Sequence, residues 1–154
     1  MSKLVRSAHN ATNLVYHIVC PIKYRRNVIS DKVKYTIFRT CQSIAGNHDV
    51  YFIEVGTDGD HVHFLLQAVP TYSPTEIVRI LKITIAKAVF KYNPEIKGYL
   101  WGGELWTDGY YMNTVSSVTT EAAVADYVRK QGYQDYNKLL DNSLYVSPNT
   151  SLTE

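Results

Sequence analysis

Two apolar runs separated by a four-residue turn constrain this chain more than any other feature. Val50–Val55 and His61–Ala68 flank Thr57-Asp58-Gly59-Asp60, and an Asp-Gly turn between strand-forming runs closes a β-hairpin. A helical pattern lies on each side of that hairpin. Upstream, Asp31 can cap a helix reaching about Ala45, with Val33, Ile37, Thr40, Cys41 and Ile44 on one face and Gly46-Asn47 ending it. Downstream, Ser73-Pro74-Thr75-Glu76 opens a helix that runs to about Tyr92, where Asn93-Pro94 stops it. Its apolar positions Ile77, Ile80, Leu81, Ile85, Ala88 and Val89 keep a 3.6-residue period.

Two more strands frame this unit. Asn13 to Pro21 holds Leu14, Val15, Tyr16, His17, Ile18 and Val19 and ends at a proline; Tyr110 to Ser117 gives a fourth run. Between them, 93–108 reads as a long irregular stretch with both tryptophans, and a last helix starts at Thr119 or Thr120 and reaches about Tyr133. Strand, helix, strand, strand, helix, strand is the split-βαβ, ferredoxin-like order: an α+β fold with an antiparallel sheet and two helices on one face. The added C-terminal helix is expected to pack on the open sheet face.

At 154 residues and 45% hydrophobic content, a single globular domain is expected over 1–141, with a polar, disordered tail at 142–154. Residues 1–10 read as polar and loose. No apolar run approaches the ~20 residues needed to span a bilayer, and the start lacks the pattern of a signal peptide, so a cytoplasmic protein is expected. Cys20 and Cys41 make neither a disulfide framework nor a zinc pattern and read as small buried residues. The net charge of +2 is too small to indicate nucleic acid; only the distribution of charge can do so.

Strand alternation places His61 and His63 on one face, ~6.5–7 Å apart along the strand. Val62, Phe64, Leu66 and Ala68 then point to the helix-covered side. Two imidazoles so placed can reach one metal ion, but at least one more ligand is needed. They can equally be two histidines decorating an exposed strand face. On the last helix, Tyr127 and Gln131 are one turn apart on a common face. If that helix packs on the open sheet face, the four groups meet. The plainer alternative is an amphipathic helix with Gln131 as a surface amide.

The segment Thr57-Asp58-Gly59-Asp60-His61-Val62-His63-Phe64-Leu65-Leu66 closely resembles the HUH motif of the single-tyrosine transposases of insertion sequences of the 200/605 type. Other segments are similar in the same order. His17-Ile18-Val19 with Lys23-Tyr24-Arg25-Arg26 resembles the family's first strand and basic loop. Leu105-Trp106 with Gly109-Tyr110-Tyr111 resembles the approach to its fourth strand, and Tyr127 through Gln131 its nucleophile helix. The resemblance spans roughly 13–135. Ser116-Ser117, where relatives often carry glycine, and Pro21-Ile22 depart from the pattern.

What the resemblance implies is specific. Tyr127 would attack a phosphodiester of single-stranded DNA at an element end, giving a 5′-phosphotyrosine and a free 3′-hydroxyl that later rejoins strands. Phenol, with a pKa near ~10, needs charge stabilisation for this. His61, His63 and Gln131 would hold the Mg²⁺ or Mn²⁺ that supplies it, although the donor set alone also permits zinc. The partners implied are single-stranded DNA with a hairpin at the element ends and a second copy of the chain, the tyrosine being shared across a homodimer in some relatives. Lys23, Tyr24, Arg25 and Arg26 are candidate DNA contacts, as are Arg79 and Lys82 on the second helix, whose basic residues equally suit a solvated face. Two competing functions are a non-cleaving hairpin-binding protein of the same fold and a zinc hydrolase using Glu54 or Glu104.

Overall fold

A computed structural model describes residues 4–6 and 11–115 of the chain. Its core is a four-stranded sheet of β1 (Leu14–Pro21), β2 (Val50–Asp58), β3 (His61–Ala68) and β4 (Tyr111–Thr114), with α1 (Asp31–Asn47) and α2 (Pro74–Tyr92) packed on one side. The spatial order is β2-β3-β1-β4 and every pairing is antiparallel. This is the ferredoxin-like α+β arrangement expected from the element order. The expected last helix, with Tyr127 and Gln131, and the polar tail lie outside the described residues.

Local chemistry sets the boundaries. Ser30 caps α1, its hydroxyl accepting from the Val33 amide. Ser73 and Glu76 form a reciprocal capping box at α2, with Pro74 in the first turn where its missing N–H costs nothing. Asn93, fully buried, ends α2 and donates from its amide to Thr36 Oγ1 at 3.0 Å, which ties the end of α2 to α1.

Side chains facing the helices form the main core. Tyr16, Ile18 and Cys20 of β1 and Val62, Phe64, Leu66 and Ala68 of β3 are buried there against Ile37, Ile44, Leu81 and Ile85. Cys20 and Cys41 are free thiols within this core. Burial raises both thiol pKa values, that of Cys20 to about 12, so neither is a reactive nucleophile at neutral pH.

Several details differ from the sequence expectation. β2 continues to Asp58, leaving only Gly59-Asp60 as the turn, and a bulge at Ile53 shifts its register, bringing Glu54 opposite Leu65. The stretch after α2 is organised as two short 3-10 turns, Pro94–Tyr99 and Trp101–Gly103, and Trp106 then pairs with Ile22. Near the start, Val5–Arg6 pairs with Ala11–Thr12 where a loose segment was expected. On the sheet face away from the helices, the one on which the added helix is expected to pack, Leu65 and Gln67 of β3 are both 0% exposed. Among the described residues no helix is long and apolar enough to cross a membrane.

Candidate functional site

His61 and His63 stand where strand alternation puts them, on the face of β3 opposite the two helices. Their rings meet edge to face at 66°, with centroids 4.7 Å apart. Across from His63 are Gly56 on β2 and Val19 on β1, so the position directly opposite on β2 carries no side chain. His61 is half-buried and His63 is 5% exposed.

Each imidazole is held through its δ nitrogen. The Asp60 carboxylate lies 2.6 Å from His61 Nδ1, and its second oxygen accepts from Arg25 Nε at 3.0 Å. The hydrogen bond with His61 pulls the Asp60 carboxyl below its ordinary pKa, with Arg25 adding to it against the cost of burial. The turn aims Asp60 here. Asp58 Oδ1 accepts from the Gly59 amide, and any side chain on Gly59 would overlap the Asn27 amide packed against it. The Gly59 and Asp60 carbonyls accept from Ile29 and Ile22, docking the hairpin tip on the basic turn.

The second imidazole is held by a residue that sequence reasoning did not single out. His17, buried on β1, brings Nε2 to 3.2 Å from His63 Nδ1. Burial lowers the pKa of both rings. For His63 desolvation is the largest cause, the charges of His61 and His17 add to it, and the value falls to about 4. A histidine kept neutral while its unfolded counterpart titrates at 6.5 stabilises the fold fully above that pH. Below it the unfolded state takes up protons first, so stability is lost as pH falls from 6.5 through about 4. The metal-free protein is therefore expected to melt at progressively lower temperature across this window, and His63→Phe to show a shallower slope.

The donor set suits a divalent ion. Neutral imidazoles are the ligating form, and fixing one ring nitrogen with an outer partner is how proteins orient metal-binding histidines. With Nδ1 occupied in both rings, the ε nitrogens are the ones that would face the ion. The described residues contain no group of three or more His, Cys, Asp or Glu side chains arranged for a metal. As a metal centre the two histidines would need a further ligand from elsewhere; Gln131, like Tyr127, lies outside the described residues. Glu104, one candidate acid of the hydrolase alternative, is exposed and paired with Lys23 at 2.7 Å. Glu54 is buried on the histidine face of β2 but joins no three-ligand group.

The basic residues separate into two sets. Lys23-Tyr24-Arg25 forms a 3-10 turn next to the hairpin tip, in which Tyr24 and Arg25 take φ of 58° and 52°. Left-handed backbone costs a residue with a Cβ roughly 1–2 kcal/mol, so the turn holds strain while presenting Tyr24, 60% exposed, and Arg26 to solvent. Arg79 and Lys82 belong to α2, in the helical layer across the sheet from the histidines. Arg79 is exposed. Lys82 instead donates to the carbonyls of Thr107, Asp108 and Gly109 at 2.8, 3.3 and 3.0 Å, and its own carbonyl accepts from Trp106 Nε1. Its donors shape the approach to β4, a role that spacing along a helix does not reveal.

Comparison with known proteins agrees with this fold. The family model described as "Transposase IS200 like" matches residues 10–131. The ISDra2 transposase TnpA of Deinococcus radiodurans is 34% identical over 118 residues, 77% of this chain and 84% of that protein. The transposase of insertion sequence element IS200 from Salmonella typhimurium is 28% identical over 128 residues, 83% of each. A crystal structure from Deinococcus radiodurans R1, assigned as a transposase, superposes with a TM-score of 0.68 at 30% identity, covering 82% of this chain and 96% of that one. A REP-associated tyrosine transposase bound to a REP hairpin shares the fold, with a TM-score of 0.55 at 10% identity, covering 80% and 70%. With a family match over most of its length, the chain belongs to the IS200-like transposases.

Proposed function

We propose that this transposase cleaves and rejoins single-stranded DNA at insertion-sequence ends through a covalent 5′-phosphotyrosine, with Tyr127 as nucleophile and Mg²⁺ or Mn²⁺ held by His61, His63 and Gln131. The observation that carries the reading is the pair of imidazoles side by side on β3, each held at Nδ1 by a neighbouring side chain. When bound, a divalent cation supplies positive charge beside the scissile phosphate and stabilises the charge that develops in the transition state. The residues do the rest. Tyr127 forms the bond to phosphorus as the 3′-oxygen leaves, and the phosphotyrosine keeps the phosphodiester energy, so a second 3′-hydroxyl reverses the step without a nucleotide cofactor. Asp60 and Arg25 orient His61, and burial keeps His63 in its ligating, neutral form.

Lys23, Tyr24, Arg25 and Arg26 are the proposed strand contacts beside this site, with Tyr24 stacking on a base and the cations meeting phosphates. Arg79 would add a phosphate contact from the helical layer. A DNA hairpin at the element end and a homodimer complete the assembly we propose; a protein of this fold has been seen holding a REP hairpin.

The test is a denaturing gel of the protein with single-stranded DNA carrying the element end. A covalent adduct that needs Mn²⁺ or Mg²⁺, vanishes with EDTA and maps to Tyr127 is expected. A verified end sequence that yields none with wild type overturns the cleavage reading and leaves a hairpin-binding protein. Tyr24→Gly gives a second check. It relieves left-handed strain, so thermal stability holds or rises, while affinity for single-stranded DNA falls ~5–150-fold, the loss of one stacked base at ~1–3 kcal/mol.

A further inference from the structure

We infer that His17 is a positioning residue that selects the tautomer of His63, and that Asn113 sets His17 in turn. The inference rests on the reading that His63 binds metal, and it adds a part that His61, His63, Gln131 and Tyr127 do not contain.

The geometry is a line of three side chains across two strand pairs. His17 lies diagonally from His63 between β1 and β3, with Nε2 at 3.2 Å from His63 Nδ1. The two rings are within 14° of parallel with centroids 5.5 Å apart, a separation that fits an N–H···N bond along the ring edges. On the other side, β4 puts Asn113 directly opposite His17, and the two side chains are hydrogen-bonded.

The chemistry of imidazole then fixes the proton positions. A neutral ring carries one N–H and one lone pair. To offer Nε2 to a metal, His63 must keep its proton on Nδ1 and donate it to His17 Nε2. His17 must therefore be neutral, with its own proton on Nδ1, and Asn113, opposite on β4, is the side chain whose amide oxygen can accept it. Burial disfavours the charged form of the His17 ring, while its bond with Asn113 acts the other way. Without these partners histidine favours the Nε2–H form, which cannot ligate through that nitrogen. Asp60 does for His61 with a carboxylate what His17 does for His63 with an uncharged acceptor. The contrast follows from place: Asp60 is half-exposed at the hairpin tip, whereas His17 is buried, where an unpaired carboxylate would carry a heavy desolvation cost.

The experiment compares wild type with His17→Phe, which keeps a planar ring and removes the acceptor, His17→Gln, which restores an acceptor oxygen, and Asn113→Ala at an exposed position. Two readouts are taken. Long-range ¹H–¹⁵N correlation of the histidine rings in metal-free protein reports the tautomer, and Mn²⁺ titration followed by electron paramagnetic resonance reports affinity. Wild type is expected to hold His63 as Nδ1–H. His17→Phe should move it to Nε2–H and weaken Mn²⁺ binding ~10–100-fold, the usual cost of losing an outer partner. His17→Gln should recover most of both, and Asn113→Ala should give a smaller loss, with water replacing the amide. If wild type binds Mn²⁺ and His17→Phe, or Asn113→Ala should His17→Phe not fold, leaves tautomer and affinity unchanged, the role of His17 is overturned while the metal site stands. If wild type binds no Mn²⁺, the metal reading fails and the assignment to His17 fails with it.

Discussion

Tyr127→Phe is expected to form no covalent adduct with element-end DNA at any metal concentration, while binding Mn²⁺ as wild type does. The substitution deletes one oxygen and keeps the ring, so packing changes little and the attacking atom is gone. His63→Ala should fail differently. It removes a ligand, so Mn²⁺ affinity should fall by more than the ~10–100-fold typical of an outer partner, and adduct should return only in part at high metal concentration. Adduct yield across a Mn²⁺ titration separates the two variants. Adduct from Tyr127→Phe would move the nucleophile elsewhere among the 13 tyrosines.

One residue further along β3 the expected effect changes kind. Phe64 is fully buried on the opposite face, 6.2 Å from the ring of Phe52, and belongs to the main core. Phe64→Ala removes most of that side chain from a close-packed interior and should cost ~3–5 kcal/mol, a large part of the ~5–15 kcal/mol that holds a typical domain together. For a chain of this size that lowers the melting temperature by roughly 6–20 °C, with the effect read by thermal denaturation. His63→Ala should shift it far less, since a buried polar ring gains less from burial than an apolar one and carries a desolvation cost of its own. The pair separates folding from chemistry on two adjacent residues of one strand.

The fold was legible where periodicity is strong. The six elements of the split-βαβ unit lie within a few residues of where apolar spacing, the helix start at Ser73 and the Asp-Gly turn put them, although the cap of α1 is Ser30 and not Asp31. Both histidines of the motif were readable because strand alternation needs no tertiary information. His17 was not. Its partner is 46 positions away on another strand, and a single histidine in an apolar run has no spacing signature. The same holds for Lys82, whose carbonyl partners lie 25 to 27 residues further on, and for the positive φ of Tyr24 and Arg25, which glycine or asparagine would have signalled.

Strand order has a consequence for how the site responds to heat. His61, His63 and His17 sit on β3 and β1, the two strands paired on both edges, while among the described residues β2 and the four-residue β4 form the borders. Amides of inner strands exchange with solvent only when nearly the whole domain opens, whereas borders fray at far lower cost. The imidazole pair is therefore expected to stay assembled until the cooperative transition itself. Deuterium uptake should be slowest at Ile18 and Phe64, and metal affinity should decline with global melting, not ahead of it.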